Sequence, residues 1–192
     1  MAITPTRTPA RQLASFLAKF EPRVAASARA ALSRLRKRLP GATEIVYDNY
    51  NALAIGFGPG DKASEAIFSI AVYPRWVSLF FLQGAKLPDP HGLLRGTGTT
   101  VRHIVLTQPG ALDQPAIKTL MSVAMRSAKR PIDPSQRRRL VIKSISAKQR
   151  PRRHSTDRSA SGRKALPQRS PRLGRSGSDK IGRDHTRMVL VL

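Results

Sequence analysis

Five side chains in this sequence combine apolar bulk with positive or ionisable nitrogen: Trp76, Phe80, Arg95, Arg102 and His103. An aromatic wall beside a guanidinium suits a small carboxylate or phosphate, because an arginine at the edge of apolar surface needs an anion or a protein acceptor to offset its desolvation. For Arg102 the competing reading is a structural pair with Asp89 or Glu44. Ahead of Arg102 runs Leu94-Arg-Gly-Thr-Gly-Thr-Thr100, with flexible amides and threonine hydroxyls close to Arg95 and Lys86. It leads into a predicted strand rather than a helix, so no helix dipole is aimed at a phosphate, and a plain glycine turn accounts for it equally.

Other chemistries find little material. Asp89, His91 and His103 are the nearest approach to a metal-ligand set, without diagnostic spacing, and a turn-capping Asp89 with a solvated His91 explains them as well. Glu44 and Asp48 lie four residues apart on a predicted strand, hence ~13 Å at ~3.3 Å per residue. That exceeds the ~5 to 9.5 Å useful for paired-carboxylate glycoside chemistry. No nucleophile elbow, zinc-protease motif, phosphate-binding P-loop or dinucleotide fingerprint occurs. The absence of cysteine removes disulfides, thiolate metal sites and cysteine nucleophiles. No catalytic residue, metal or cofactor is expected.

The charge is large and uneven. Of 192 residues, 35 are Lys or Arg and 11 are Asp or Glu, for a net charge of +24. Residues 1–128 hold 16 basic and 7 acidic groups, 129–153 hold 10 and 1, and 154–192 hold 9 and 3. All six Phe, all three Tyr and the single Trp fall in the first segment. The expected organisation is a flexible lead over 1–10, a folded domain over 11–128, a basic extension with an edge strand over 129–153, and a disordered basic tail over 154–192, too poor in apolar side chains to offset its ordering entropy. Its closing Met188-Val-Leu-Val-Leu192 is apolar but too short for an anchor. No run of ~20 apolar residues exists to span a membrane, and the expected location is the cytoplasm.

The elements that must position these residues follow from periodicity. Leu13, Phe16, Leu17, Phe20, Val24, Leu32, Leu35 and Leu39 mark an amphipathic helix that Pro22 kinks or restarts, with the Arg34–Arg38 cluster in its last turn. Short extended runs follow at 44–47, 51–57, 66–73, 76–82 and 101–106, spaced tightly enough for antiparallel hairpins. Asp113 is placed as the N-cap of a second helix carrying Ile117, Leu120 and Met121, and Leu140–Ser146 reads as an edge strand. The fold class is therefore α+β, an antiparallel sheet of five or six strands with N- and C-terminal helices packed on it. Residues 76–82 are apolar on both strand faces, so the sheet needs cover on both sides, from this chain, from a second copy or from a ligand.

This order of motifs resembles a known family. Glu44-Ile-Val-Tyr, Ala66–Tyr73 followed by Pro74-Arg-Trp-Val-Ser-Leu-Phe-Phe81, Gly84-Ala-Lys-Leu-Pro-Asp-Pro90, Gly96-Thr-Gly98 and Val101-Arg-His-Ile104 are similar to the YdhG-like family of bacterial domains of unknown function, over about residues 11–128. The resemblance implies a frataxin-like arrangement of helices on an antiparallel sheet and, for some relatives, a role in handling iron; it transfers no catalytic residue. An acidic iron-recruiting ridge is absent from the first helix, where Glu21 is the one carboxylate among Arg11, Lys19, Arg23, Arg29 and the Arg34–Arg38 cluster.

Two classes of function remain. The first is a non-enzymatic module, small-ligand-binding or chaperone-like, with Trp76, Phe80, Arg95, Arg102 and His103 taking a small anionic ligand and a homodimer as one way of covering the sheet. The second is association with nucleic acid or another polyanion through 129–192. No aromatic residue lies beyond Phe81, so that contact would be to phosphates rather than stacked bases.

Overall fold

The computed structural model describes residues 8–108 and 110–153; the tail expected over 154–192 lies outside the described residues. Pro22 restarts the helix rather than kinking it. Helix α1 (Pro9–Ala18) begins at Thr8, whose hydroxyl accepts from the Arg11 amide at 3.4 Å, and buries Leu13, Phe16 and Leu17. Helix α2 (Pro22–Arg38) places Pro22 in its first turn, where a missing amide costs nothing. Its last turn carries Arg36, Lys37 and Arg38, cations at the negative end of the helix dipole.

After α2 the chain turns through Gly41 at φ 77°, where a β-carbon would stand 1.9 Å from the carbonyl oxygen of Asp133. Only glycine fits, and the close approach brings the 133–138 segment against the end of α2. Five strands then form an antiparallel meander: β1 (Thr43–Asp48), β2 (Leu53–Gly58), β3 (Phe68–Val72), β4 (Val77–Phe81) and β5 (Arg102–Leu106). Helix α3 (Pro115–Arg126) follows, and β6 (Arg139–Ile145) crosses to the far edge, giving the order β5-β4-β3-β2-β1-β6.

The fold is α+β, as the element pattern implies, with one departure: β6 runs parallel to β1, with a register shift between Val46 and Tyr47. A parallel neighbour requires a long crossover, and α3 with its flanking segments supplies it. The proposed cap of α3 also differs. Gln114 holds the N-cap position, while Asp113 instead pairs with Arg34 and Arg38 at 2.6 Å each, fixing the start of α3 to the end of α2.

Side chains alternate between the two faces of the sheet. Val46, Leu53, Ile55, Phe57, Phe68, Ile70, Val72, Val77, Leu79, Phe81, Ile104 and Leu106 meet the three helices in the main core. The second face carries a smaller cluster of Ala52, Ala71, Tyr73 and Phe80, with Trp76 and Val101 packed against it. Burial pushes the Tyr73 phenol from its ordinary value of 10.0 up to about 12. The neutral form is favoured on folding, so this contribution is whole below pH ~10 and is lost as pH rises through ~12. Tyrosinate absorbance of the folded protein should show a late step that Tyr73→Phe removes; an unchanged high-pH profile in the variant would contradict a buried phenol.

Candidate functional site

The residues proposed for a small anion divide between the two faces. Phe80 and His103 are cross-strand partners whose rings stack with centroids 5.0 Å apart, and both are buried. Trp76 stacks on Tyr73 at 5.0 Å. Arg95 forms an isolated bridge with His103 through two backbone hydrogen bonds of 2.8 and 2.9 Å, which places it opposite His103 while its side chain stays exposed. Trp76, Phe80, Arg95 and His103 thus belong to the second face.

Arg102 does not join them. It lies opposite Phe81, in the row of Ile104 and Leu106 that meets the helices, and its guanidinium donates to the carbonyls of Gly98 and Val101. Neither Asp89 nor Glu44 is its partner. Asp89 accepts from the Leu93 and Leu94 amides at 3.0 and 2.7 Å, shaping the 84–100 loop, and Glu44 is engaged elsewhere. The structure places Arg102 in a structural turn and keeps Arg95 beside His103 on the second face.

A larger electrostatic feature occupies the end of the domain where α2 stops and β6 starts. Glu44, 1% exposed, accepts a bidentate pair from Arg36 at 2.7 and 2.8 Å and lies 3.6 Å from Arg138. That carboxylate draws together two arginines about a hundred residues apart in sequence and holds the Arg36 guanidinium above its ordinary pKa, chiefly through the hydrogen bond. Beside them Lys37, Arg137 and Arg139 are exposed and form no ion pair within 4.0 Å among the described residues. Arg34 and Arg38 continue the surface toward α3 through Asp113, whose carboxyl the Arg34 hydrogen bond lowers below the usual range.

The carboxylates of the described residues are mostly used to assemble the fold. Glu44, Asp48, Asp61, Glu65 and Asp113 are ion-paired, while Asp89 and Asp133 hold loop amides. Asp61, lowered mainly by its hydrogen bond from Lys143, ties β6 to the loop after β2. The segment 129–153 is consequently not a free basic appendage: Arg130, Arg138, Lys143 and Arg152 pair with Glu65, Glu44, Asp61 and Asp48. Among the described residues no group of three or more His, Asp or Glu side chains is arranged to hold a metal. No described helix is long and apolar enough to cross a membrane.

The basic runs at 34–38 and 137–139 are both plain in the sequence, but their union is not. Glu44 and Asp48, which the sequence offers as a catalytic pair and, for Glu44, as a partner of Arg102, are instead the anchors that gather Arg36, Arg138, Lys19 and Arg152. No family model matches this chain, and no curated protein or solved structure matches it.

Proposed function

We propose that this protein is a non-enzymatic nucleic-acid-binding module that grips the phosphate backbone through the basic end of its folded domain, formed by Arg36, Lys37, Arg137, Arg138 and Arg139. The observation that carries the reading is the buried Glu44 carboxylate, which neutralises part of Arg36 and Arg138 while the flanking Lys37, Arg137 and Arg139 stay exposed. The described residues hold 25 Lys and Arg against 8 Asp and Glu, so the surface keeps a strong positive excess after every internal pair is made. Tyr50 is the one exposed large aromatic among the described residues, which supports backbone contact without base stacking or sequence preference. Membership of the YdhG-like family is part of the proposal, carried by the motif run from Glu44 to Ile104; the scarcity of free carboxylates among the described residues speaks against an iron-recruiting role here.

The test is a triple charge reversal, Lys37→Glu, Arg137→Glu and Arg139→Glu, in the full chain, titrated against generic duplex DNA over a salt series. None of the three makes an ion pair among the described residues, so folding should be retained. Loss of three phosphate contacts should flatten the slope of log affinity against log salt by roughly 2 to 3, at ~0.9 per contact. An unchanged slope would move any DNA binding to residues 154–192 and overturn the assignment to the domain.

A further inference from the structure

A second group of cations lies at the other end of β6. Asp48, at the far end of β1 from Glu44, is 1% exposed and accepts from Lys19 and Arg152 at 3.0 Å each. Beyond β6 the chain stays against the β1–β2 turn: the Ser146 amide donates to the Asp48 carbonyl at 2.9 Å, and the Arg150 amide to the Tyr50 carbonyl at 2.8 Å. Arg153 donates from Nε and Nη2 to the Phe20 and Ala18 carbonyls at 3.1 and 2.7 Å. These contacts hold Lys148, Arg150 and Arg153 at the end of the sheet where α1 stops. All three are exposed, and none forms an ion pair within 4.0 Å among the described residues.

The two ends of β6 are built alike. At each, a carboxylate only 1% exposed holds two cations, and further cations stay exposed beside them: Lys37, Arg137 and Arg139 at the first end, Lys148, Arg150 and Arg153 at the second. Glu21, next to Phe20, is the other acidic residue at the second end and makes no ion pair among the described residues. Between the ends Lys143 is neutralised by Asp61 at 2.9 Å. β6 is an edge strand, bonded to β1 alone, so no further strand of the sheet lies beside it. Its length sets the two groups about 20 Å apart at ~3.3 Å per residue. A single phosphate or carboxylate cannot reach both. A duplex can, because 20 Å is about six base pairs at ~3.4 Å each.

We propose that nucleic acid lies along the β6 edge and is gripped at both ends of that strand, by Arg137 and Arg139 at one and by Lys148 and Arg150 at the other, so that the ligand is a duplex of at least about six base pairs rather than a nucleotide. This rests on the nucleic-acid reading above and extends it to a second grip and a minimum length. The second grip forms at the high effective concentration that the first creates, which makes the contact bivalent.

The test combines Lys148→Glu with Arg150→Glu in the full chain and follows salt dependence against a duplex of about 18 base pairs and a hairpin stem of about four, too short to span both ends. On the long duplex the slope of log affinity against log salt should flatten by roughly 2, at ~0.9 per lost contact. On the short stem the slope should hold and affinity should fall by no more than about twofold, because the first end still binds it. Lys148→Gln with Arg150→Gln removes the same contacts without adding negative charge and should flatten the long-duplex slope equally, which separates lost contacts from a folding defect. The two-ended grip is overturned if both double variants keep the long-duplex slope while Lys37→Glu, Arg137→Glu and Arg139→Glu together flatten it; the nucleic-acid reading then stands with one grip. It is overturned too if long and short ligands respond alike. If the triple variant leaves the slope unchanged, the nucleic-acid reading itself fails, whatever the double variants do.

Discussion

Replacing Asp48 with alanine should cost about 3–5 kcal/mol of stability, the penalty of stranding a buried charge. Asp48 is 1% exposed; its Oδ1 accepts from Arg152 Nη2 and its Oδ2 from Lys19 Nζ, each at 3.0 Å. The Arg152 side chain is itself only 3% exposed, lies over the Phe20 ring at 5.1 Å, and has Nε and Nη1 without partners. Burial alone pushes its pKa below the ordinary value, so the Asp48 carboxylate is what keeps the cation tolerable there. Against a typical total of ~5–15 kcal/mol, the single substitution removes a large share. A companion variant, Asp48→Leu with Arg152→Met, replaces the pair by apolar bulk and should recover most of the loss. Urea unfolding of the wild type, Asp48→Ala and the double variant decides it: a near-neutral Asp48→Ala, or a double variant worse than the single one, would show that the pair does not hold 146–153 to the domain.

Ending the chain at Gln136 should abolish cooperative folding, whereas ending it at Arg153 should not. The shorter chain loses β6, and with it every parallel hydrogen bond to β1. It also loses the packing of Leu140 and Ile142 on the main core, Arg152 from Asp48, which keeps only Lys19, and Lys143 from Asp61. Fully burying an aliphatic side chain contributes about 1.5–3 kcal/mol, so the partial burial of Leu140 and Ile142, the β6 ladder and the Arg152 half of the Asp48 pair together are a large share of a total of ~5–15 kcal/mol. Near-ultraviolet circular dichroism and urea titration of the two truncations provide the check. Equal unfolding midpoints would mean that β6 is dispensable and that the domain closes at β1.

The amino-acid sequence by itself determined the elements on the main core. Leu13, Phe16 and Leu17, then Val24, Leu32 and Leu35, announce helices because apolar side chains at a 3.6-residue period must share one face, and the five antiparallel strands are legible because turn residues punctuate short β-branched and aromatic runs. Two-sided apolarity at 76–82 also called for cover on both faces, and Phe80 and Ser78 on the second face are 1% and 0% exposed.

The tertiary structure decided how distant segments meet. Nothing in local periodicity states that Leu140–Ile142 lies parallel to Glu44–Val46, because the crossover that permits it is a property of the whole chain path. Nor does spacing reveal that Glu44 gathers Arg36 with Arg138, or Asp48 gathers Lys19 with Arg152; Coulomb attraction acts through space, and a carboxylate carries no mark of its partner. Arg102 shows the same limit at short range. Alternation on β5 puts it in the row of Ile104 and Leu106 rather than with His103, but whether its guanidinium meets an anion or the Gly98 and Val101 carbonyls depends on how the 84–100 loop folds back, and that path is set by Asp89 holding the Leu93 and Leu94 amides. Local pattern determines which side chains are buried, because burial follows periodicity; chain path determines which charges become neighbours, because that requires contacts between residues far apart in sequence.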